Sequence, residues 1–369
     1  SYKKLWNLVP RFVGLAASEM QTCMSLFSIG TLQVWQSNRL KVDLSEVQLG
    51  DSNMVDANWG YQVADTVQLA YLTRAGIVES RHHGLVCLTG PDGKLIQEHG
   101  NSRKLIYPRS AVKPLQALAL RRAGLILSGE QLAMSSASHQ GTPEHIKIVL
   151  SILNDAGLSE SDLQCPVAWP GNAAARSKAE LETKAAFNCS GKHAAFLATC
   201  VKNGWDTKSY LDPSHPLQKL IVEVIEEFSG ERIPHSTFDG CGAPLHLMSL
   251  QGLARAIGKF AANEPEIRDA MIANPWVVDD HGGSDTLVME QGMLAKIGAE
   301  GVFVIGLASG HGVAVKVADG SMRPAGLAAI KMLLNNGLLE QSTYDLLFSK
   351  LSIPTLGGSE IVGQLEVAF

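Results

Sequence analysis

Cysteine is scarce in this chain. Six occur among 369 residues, Cys23, Cys87, Cys165, Cys189, Cys200 and Cys241, with no CxxC pair. That excludes a disulfide scaffold and makes reduced thiols in a cytosol-like compartment the expectation. Charge is thin too, at 18% against 46% hydrophobic residues, and the net charge is −5. A mildly acidic surface does not suit nucleic acid as a partner. No uncharged apolar run reaches the roughly 18 residues a membrane helix needs. Internal repeats and low-complexity tracts are likewise missing. What remains is a globular composition, long enough for one large domain or two ordinary ones.

Residues 1–66 differ from the rest. The opening stretch, SYKKLWNLVPRFVGLAASEMQTCMSLFSIGTLQVW, holds the single acid Glu19 beside Lys3, Lys4 and Arg11. Basic, apolar and acid-poor describes a transit peptide, and equally a poorly specified leading segment. The expected location is the cytoplasm, or an organelle if these residues act as an address. From residue 67 onward the punctuation is regular. VCLTGPDGKLIQEHG reads as strand, turn, strand around Gly90–Gly93. TPEHIKIVLSILNDAGL reads as a helix capped by Thr142, with Pro143 in its first position and Gly157 past its end. SGKHAAFLATCVKNG, HPLQKLIVEVIEEFSG and RPAGLAAIKMLLNNG read as further helices, and GVFVIGLASGHGVAVKVADGS as two antiparallel strands. Helices grouped between hairpins, without strand–helix alternation, predict an α+β fold on an antiparallel sheet.

Four segments carry side chains suited to chemistry. In YPRSAVKPLQAL, Ser110 and Lys113 stand at i and i+3 on one helix face. A serine hydroxyl needs a base, and a lysine serves as one only when burial or a neighbouring cation keeps it neutral. Arg109 is a candidate for that cation. Pro114 sets a tight helix start, which would hold Ser110 at a mouth favourable to negative charge. Ser-x-x-Lys is the spacing of serine β-lactamases and penicillin-binding proteins; the plain alternative is a helix cap beside a solvated lysine. In SSASHQGTPEH, Ser138 and His139 offer a second hydroxyl and a proton-transfer group, or simply a turn. NCSGKH and FDGCGAPLH place Cys189, Lys192 and Cys241 near helix and loop starts, with Asp239 beside them. Two thiolates could clamp Zn²⁺, although the spacing carries no metal signature, and two buried cysteines explain it as well. Lys316, in GHGVAVKVADG, is either a lysine facing the nucleophile from an edge strand or an outward edge lysine.

Taken in order, AGIVESRHHG, YPRSAVKPLQAL, SASHQGTPEH, NCSGKH, DGCGAP, GGSDT, VKVADG and the closing GGSEIVGQLEV resemble the L-asparaginase II family, the thermolabile rhizobial-type asparaginases. The resemblance spans residue 67 to the end. The Thr-Gly-Gly-Thr motif of the common bacterial asparaginases is missing. It implies a serine β-lactamase/glutaminase-like fold, a homodimer, and hydrolysis of L-asparagine to L-aspartate and ammonia. It implies two Ser–Lys tandems, Ser110 with Lys113 and Ser138 with Lys316, and a zinc site on Cys189, Lys192 and Cys241. Arg109, His139 and Asp239 are then the expected substrate-binding residues. Residues 1–66 have no counterpart in the bacterial pattern, and Gln140 and Asn188 are departures beside the site.

Overall fold

The computed structural model describes residues 60–369; the expectations placed on residues 1–59, including a targeting role and Cys23, lie outside the described residues. The compact unit takes in residues 60–66 as well. Gly60 bridges Leu105, the Tyr61 hydroxyl donates to the Ala318 carbonyl at 3.2 Å, and residues 63–65 form a 3₁₀ turn. Residues 60 and 61 thus contact later segments of this unit.

Strands β1 (Val67–Arg74), β2 (Ile77–Thr89), β3 (Leu95–His99) and β4 (Leu105–Ile106) open the domain. After a long helical region come β5 (Ser236–Phe238), β6 (Pro244–His246) and β7 (Met248–Ser249). Then follow β8 (Leu294–Gly298), β9 (Val302–Gly306) and β10 (Gly312–Val317), and a small C-terminal group, β11 (Thr355–Gly357), β12 (Glu360–Gly363) and β13 (Leu365–Val367). The main sheet runs β13-β1-β2-β10-β9-β8, with β3 pairing β2, and every pairing is antiparallel. All six residues of β10 are buried. Successive side chains on a strand point to opposite faces, so both faces are covered there. Helices Leu250–Asn263 and Ala325–Asn335 both pack against β10. The mixed helix and antiparallel-sheet architecture is the one the sequence predicts.

The helices form where the punctuation places them. Thr142 caps Pro143–Asp155 by accepting from the His145 N–H. Helices Ser190–Asn203 and Pro216–Ser229 end on Gly204 and Gly230, at φ of 65° and 69°. That left-handed turn is where glycine avoids a Cβ clash. Helices Lys113–Arg122, Pro143–Asp155, Ser190–Asn203 and Pro216–Ser229 pack together beside the sheet and share one core with it. Among the described residues, no helix is long and apolar enough to cross a membrane. The five described cysteines are buried and unbridged.

Candidate active site

Ser110 lies in a 3₁₀ turn, Arg109–Val112, that leads directly into helix Lys113–Arg122 with Pro114 in its first turn. Arg109 itself has φ 51°. A non-glycine residue held left-handed costs roughly 1–3 kcal/mol and persists only where surrounding contacts fix it. Two contacts do so here. The Arg109 guanidinium grips Asp239 through Nε at 2.9 Å and Nη2 at 2.7 Å. Behind the turn, β8 packs closely enough that a Cβ on Gly298 would sit 2.5 Å from the Pro108 carbonyl oxygen. The turn thereby presents Ser110 to a cleft that it lines together with Arg109, Lys113, Gln116, Lys192, Asp239 and His246. The Ser110 side chain is only half-buried, and its hydroxyl has no hydrogen bond among the described residues.

Lys113 is 1% exposed. Its amine donates to the Ala137 carbonyl and lies 3.0 Å from Ser138 Oγ. Burial pushes its pKa below that of an ordinary lysine; Lys192 and Lys296 push the same way, while Cys189 opposes them. The loop carrying Ser138 is pinned by its backbone, since the Ser138 N–H donates to the Val278 carbonyl at 2.7 Å. One buried amine thus sits between two serine-bearing segments.

Cys189, at the entrance of helix Ser190–Asn203, contacts both Lys113 and Cys241. A hydrogen bond from Cys241 holds the Cys189 thiol well below its usual range against the opposing effect of burial, with Lys113 and Lys192 assisting. The Cys241 thiol is pushed up by that same bond and by burial. Lys192 Nζ lies 3.2 Å from Cys241 Sγ. Burial acts against its charge, but Cys241, Cys189 and Asp239 together hold its pKa above the ordinary value. Asp239 and Cys241 arrive on the turn joining β5 to β6. Burial favours the neutral form of Asp239, yet Arg109 and the Gly240 N–H keep its carboxyl below the usual value. Cys189, Lys192 and Cys241 are therefore adjacent, as are Arg109 and Asp239. Among the described residues, no group of three or more His, Cys, Asp or Glu side chains is gathered as for a metal.

A family model for L-asparaginase II matches residues 70–367. The chain belongs to the L-asparaginase II family. Membership supports reading it as an amidohydrolase. Among solved structures, the chain is similar to a crystal structure of Mglu in its glutamate form, with TM-score 0.42 and 14% identity over 69% of this chain and 61% of that one. The chain thus spans less than two thirds of that relative's length. It is also similar to a β-lactamase from Mycobacterium bovis, with TM-score 0.31 and 14% identity over 73% of this chain and 94% of that one. Both likenesses are distant. No curated protein matches the chain in sequence.

In this asparaginase II-family chain, three expected placements differ from the sequence reading. Ser138 is bonded to Lys113, not to Lys316. The Lys316 amine instead donates to the Glu300 carbonyl and lies 5.8 Å from the centre of the Tyr61 ring. Nor is Lys316 on an edge: β10 runs between β2 and β9. The edge strand beside the Ser110 turn is β8, and its lysine is Lys296, which the sequence reading passed over. Lys296 and Asp285 form a fully buried ion pair at 2.7 Å. The signal was available in LAKIG, but choosing between two strand lysines requires the strand order. Finally, His139 has no nitrogen left for substrate. Its Nδ1 accepts from the Gly141 N–H at 3.0 Å, so its Nε2–H is free to donate to Ser190 Oγ at 2.9 Å. It is 1% exposed and ties the Ser138 loop to helix Ser190–Asn203.

Proposed function

We propose that this chain hydrolyses L-asparagine to L-aspartate and ammonia, with Ser110 as nucleophile. The observation that carries this reading is the unpaired Ser110 hydroxyl in a cleft shared with a buried lysine amine, itself bonded to a second serine. Ser110 Oγ attacks the carboxamide carbon while its proton passes to neutral Lys113. The oxygen gains its charge beside the entrance of helix Lys113–Arg122, whose dipole favours it. As the C–N bond breaks, Lys113 returns the proton to the departing nitrogen by way of the Ser138 hydroxyl, and ammonia leaves an aspartyl ester on Ser110. Water then attacks that ester, giving its proton to Lys113, and the proton returns to Ser110 as aspartate departs. Burial, and then the neighbouring Lys192 and Lys296, favour the neutral form of Lys113.

Arg109 and Asp239, paired with each other at the cleft wall, would exchange that pairing for the carboxylate and ammonium groups of a free amino acid. Ser110, Lys113 and Lys192 line the same cleft as these two charges. Two buried, adjacent sulfurs suit a soft divalent ion, so Cys189 and Cys241 would hold zinc, and Lys192 would join them only on losing the proton that its neighbours favour. When bound, the ion would supply a fixed charge that orders the Cys241 loop and, with it, Asp239.

The test is ammonia release by the purified full chain, with L-asparagine and L-glutamine supplied separately. Release from asparagine at least about tenfold faster than from glutamine supports the reading. Equal or reversed rates make the chain an amidohydrolase of another substrate. No release from either overturns the proposal.

A further inference from the structure

Two buried polar atoms in the cleft region lack a hydrogen-bond partner among the described residues: Gln116 Oε1 and His246 Nε2. Both side chains are 4% exposed, and both line the cleft with Ser110 and Lys113. Leaving such an atom unsatisfied is costly, and folded proteins keep few of them. Gln116 follows Lys113 by three positions on helix Lys113–Arg122, so the two share a face. His246 is paired across the β5–β6 hairpin with Ser236, its Nδ1 lying 2.8 Å from Ser236 Oγ.

Both atoms can act as acceptors. A glutamine Oε1 is an acceptor only. Burial pushes the His246 imidazole down to about 4, so the ring is neutral at working pH. In the tautomer that donates Nδ1–H to the exposed Ser236 hydroxyl, Nε2 keeps a lone pair for a donor. The cleft therefore offers two unsatisfied acceptors in addition to the nucleophile. A primary carboxamide carries two N–H donors on one nitrogen. An ester carries none, and a carboxylate would set its own lone pairs against both atoms.

We propose that Gln116 Oε1 and His246 Nε2 receive the two N–H groups of the substrate carboxamide and make the site selective for primary amides. This rests on the asparaginase reading above. It also accounts for product release, because the aspartate carboxylate has no donor for either atom.

The experiment compares kcat/KM for L-asparagine with that for the β-methyl ester of L-aspartate, which has the same carbonyl but no N–H. Wild type, Gln116→Met and His246→Phe are measured. Each variant is expected to lower the amide-to-ester ratio about tenfold or more, the loss of one charge-free hydrogen bond left unmade. A structural role would lower both substrates together, so a ratio within about twofold of wild type in both variants overturns the inference. Ester turnover reports that each variant has folded. Should Gln116→Met be inactive on both, Gln116→Leu, which also removes the acceptor, is read by the same ratio. Wild type that cleaves the ester yet releases no ammonia from asparagine overturns the asparaginase reading and this inference with it. Wild type active on asparagine with an unmoved ratio overturns this inference alone.

Discussion

The Lys113 amine lies 3.0 Å from Ser138 Oγ, while the hydroxyl of Ser110, three residues before that lysine, is left unbonded. The lysine is thus held by the serine distant in sequence and stands beside the cleft that the nearer serine enters. A base tied to a second hydroxyl can pass a proton onward, which a simple Ser–Lys pair cannot do alone.

Lys113→Arg tests whether that amine must shed a proton. Arginine stays charged, so it cannot accept a proton from Ser110. We expect kcat for asparagine to fall about 10²–10⁴-fold, with KM changed far less. Ser138→Ala should lower kcat by a smaller factor, because water can substitute in part for the relay. Steady-state kinetics on both variants check this.

Lys296→Met leaves Asp285 buried and alone. Both partners are fully buried in the wild type. Removing one member of such a pair costs about 3–5 kcal/mol. Replacing both, as Lys296→Met with Asp285→Leu, should recover much of that loss. Chemical denaturation separates the two outcomes.

Asp279 gives a pH test. Burial, then the charge of Asp285, raise its carboxyl from 3.8 to about 6. Between those values the folded chain keeps a proton that the unfolded chain has released. Stability contributed at this site therefore falls as pH rises through the window, and the ionised group is a penalty above it. Gln140 donates to Asp279 Oδ1 at 3.2 Å, a bond an asparagine oxygen can equally accept. Asp279→Asn should be about 1–3 kcal/mol more stable than wild type at pH 7, and the gain should vanish near the low end of the window. Denaturation at several pH values reads it directly.

Zinc should raise the melting temperature of chelator-treated protein, since an ion bound only by the folded state stabilises it by mass action. Cys189→Ala and Cys241→Ala should each abolish most of that rise. An equal rise in the variants would place the ion elsewhere.

Much of the fold was legible in the sequence, because caps and turns are local. Thr142, Gly204 and the Gly90–Gly93 turn mark their elements within a few residues. The Ser110 turn was legible for the same reason, through Pro114 and the i, i+3 spacing. The pairing of lysines with serines was not. Which strand borders the Ser110 turn depends on strand order, which places β10 in the sheet interior and β8 at the edge beside the turn. His139 misled because a histidine after a serine resembles a proton carrier, whereas the fold uses both its nitrogens for anchoring. Gln116 and His246 carried no sequence signal at all. Their interest arises from partners that are missing, which only the packed structure reveals.

The most direct measurement is to quench the purified enzyme with acid during turnover of L-asparagine and map the modified peptide by mass spectrometry. An aspartyl ester on Ser110, lost in Ser110→Ala, is the predicted result. An ester on Ser138, or turnover that survives in Ser110→Ala, would contradict Ser110 as the nucleophile.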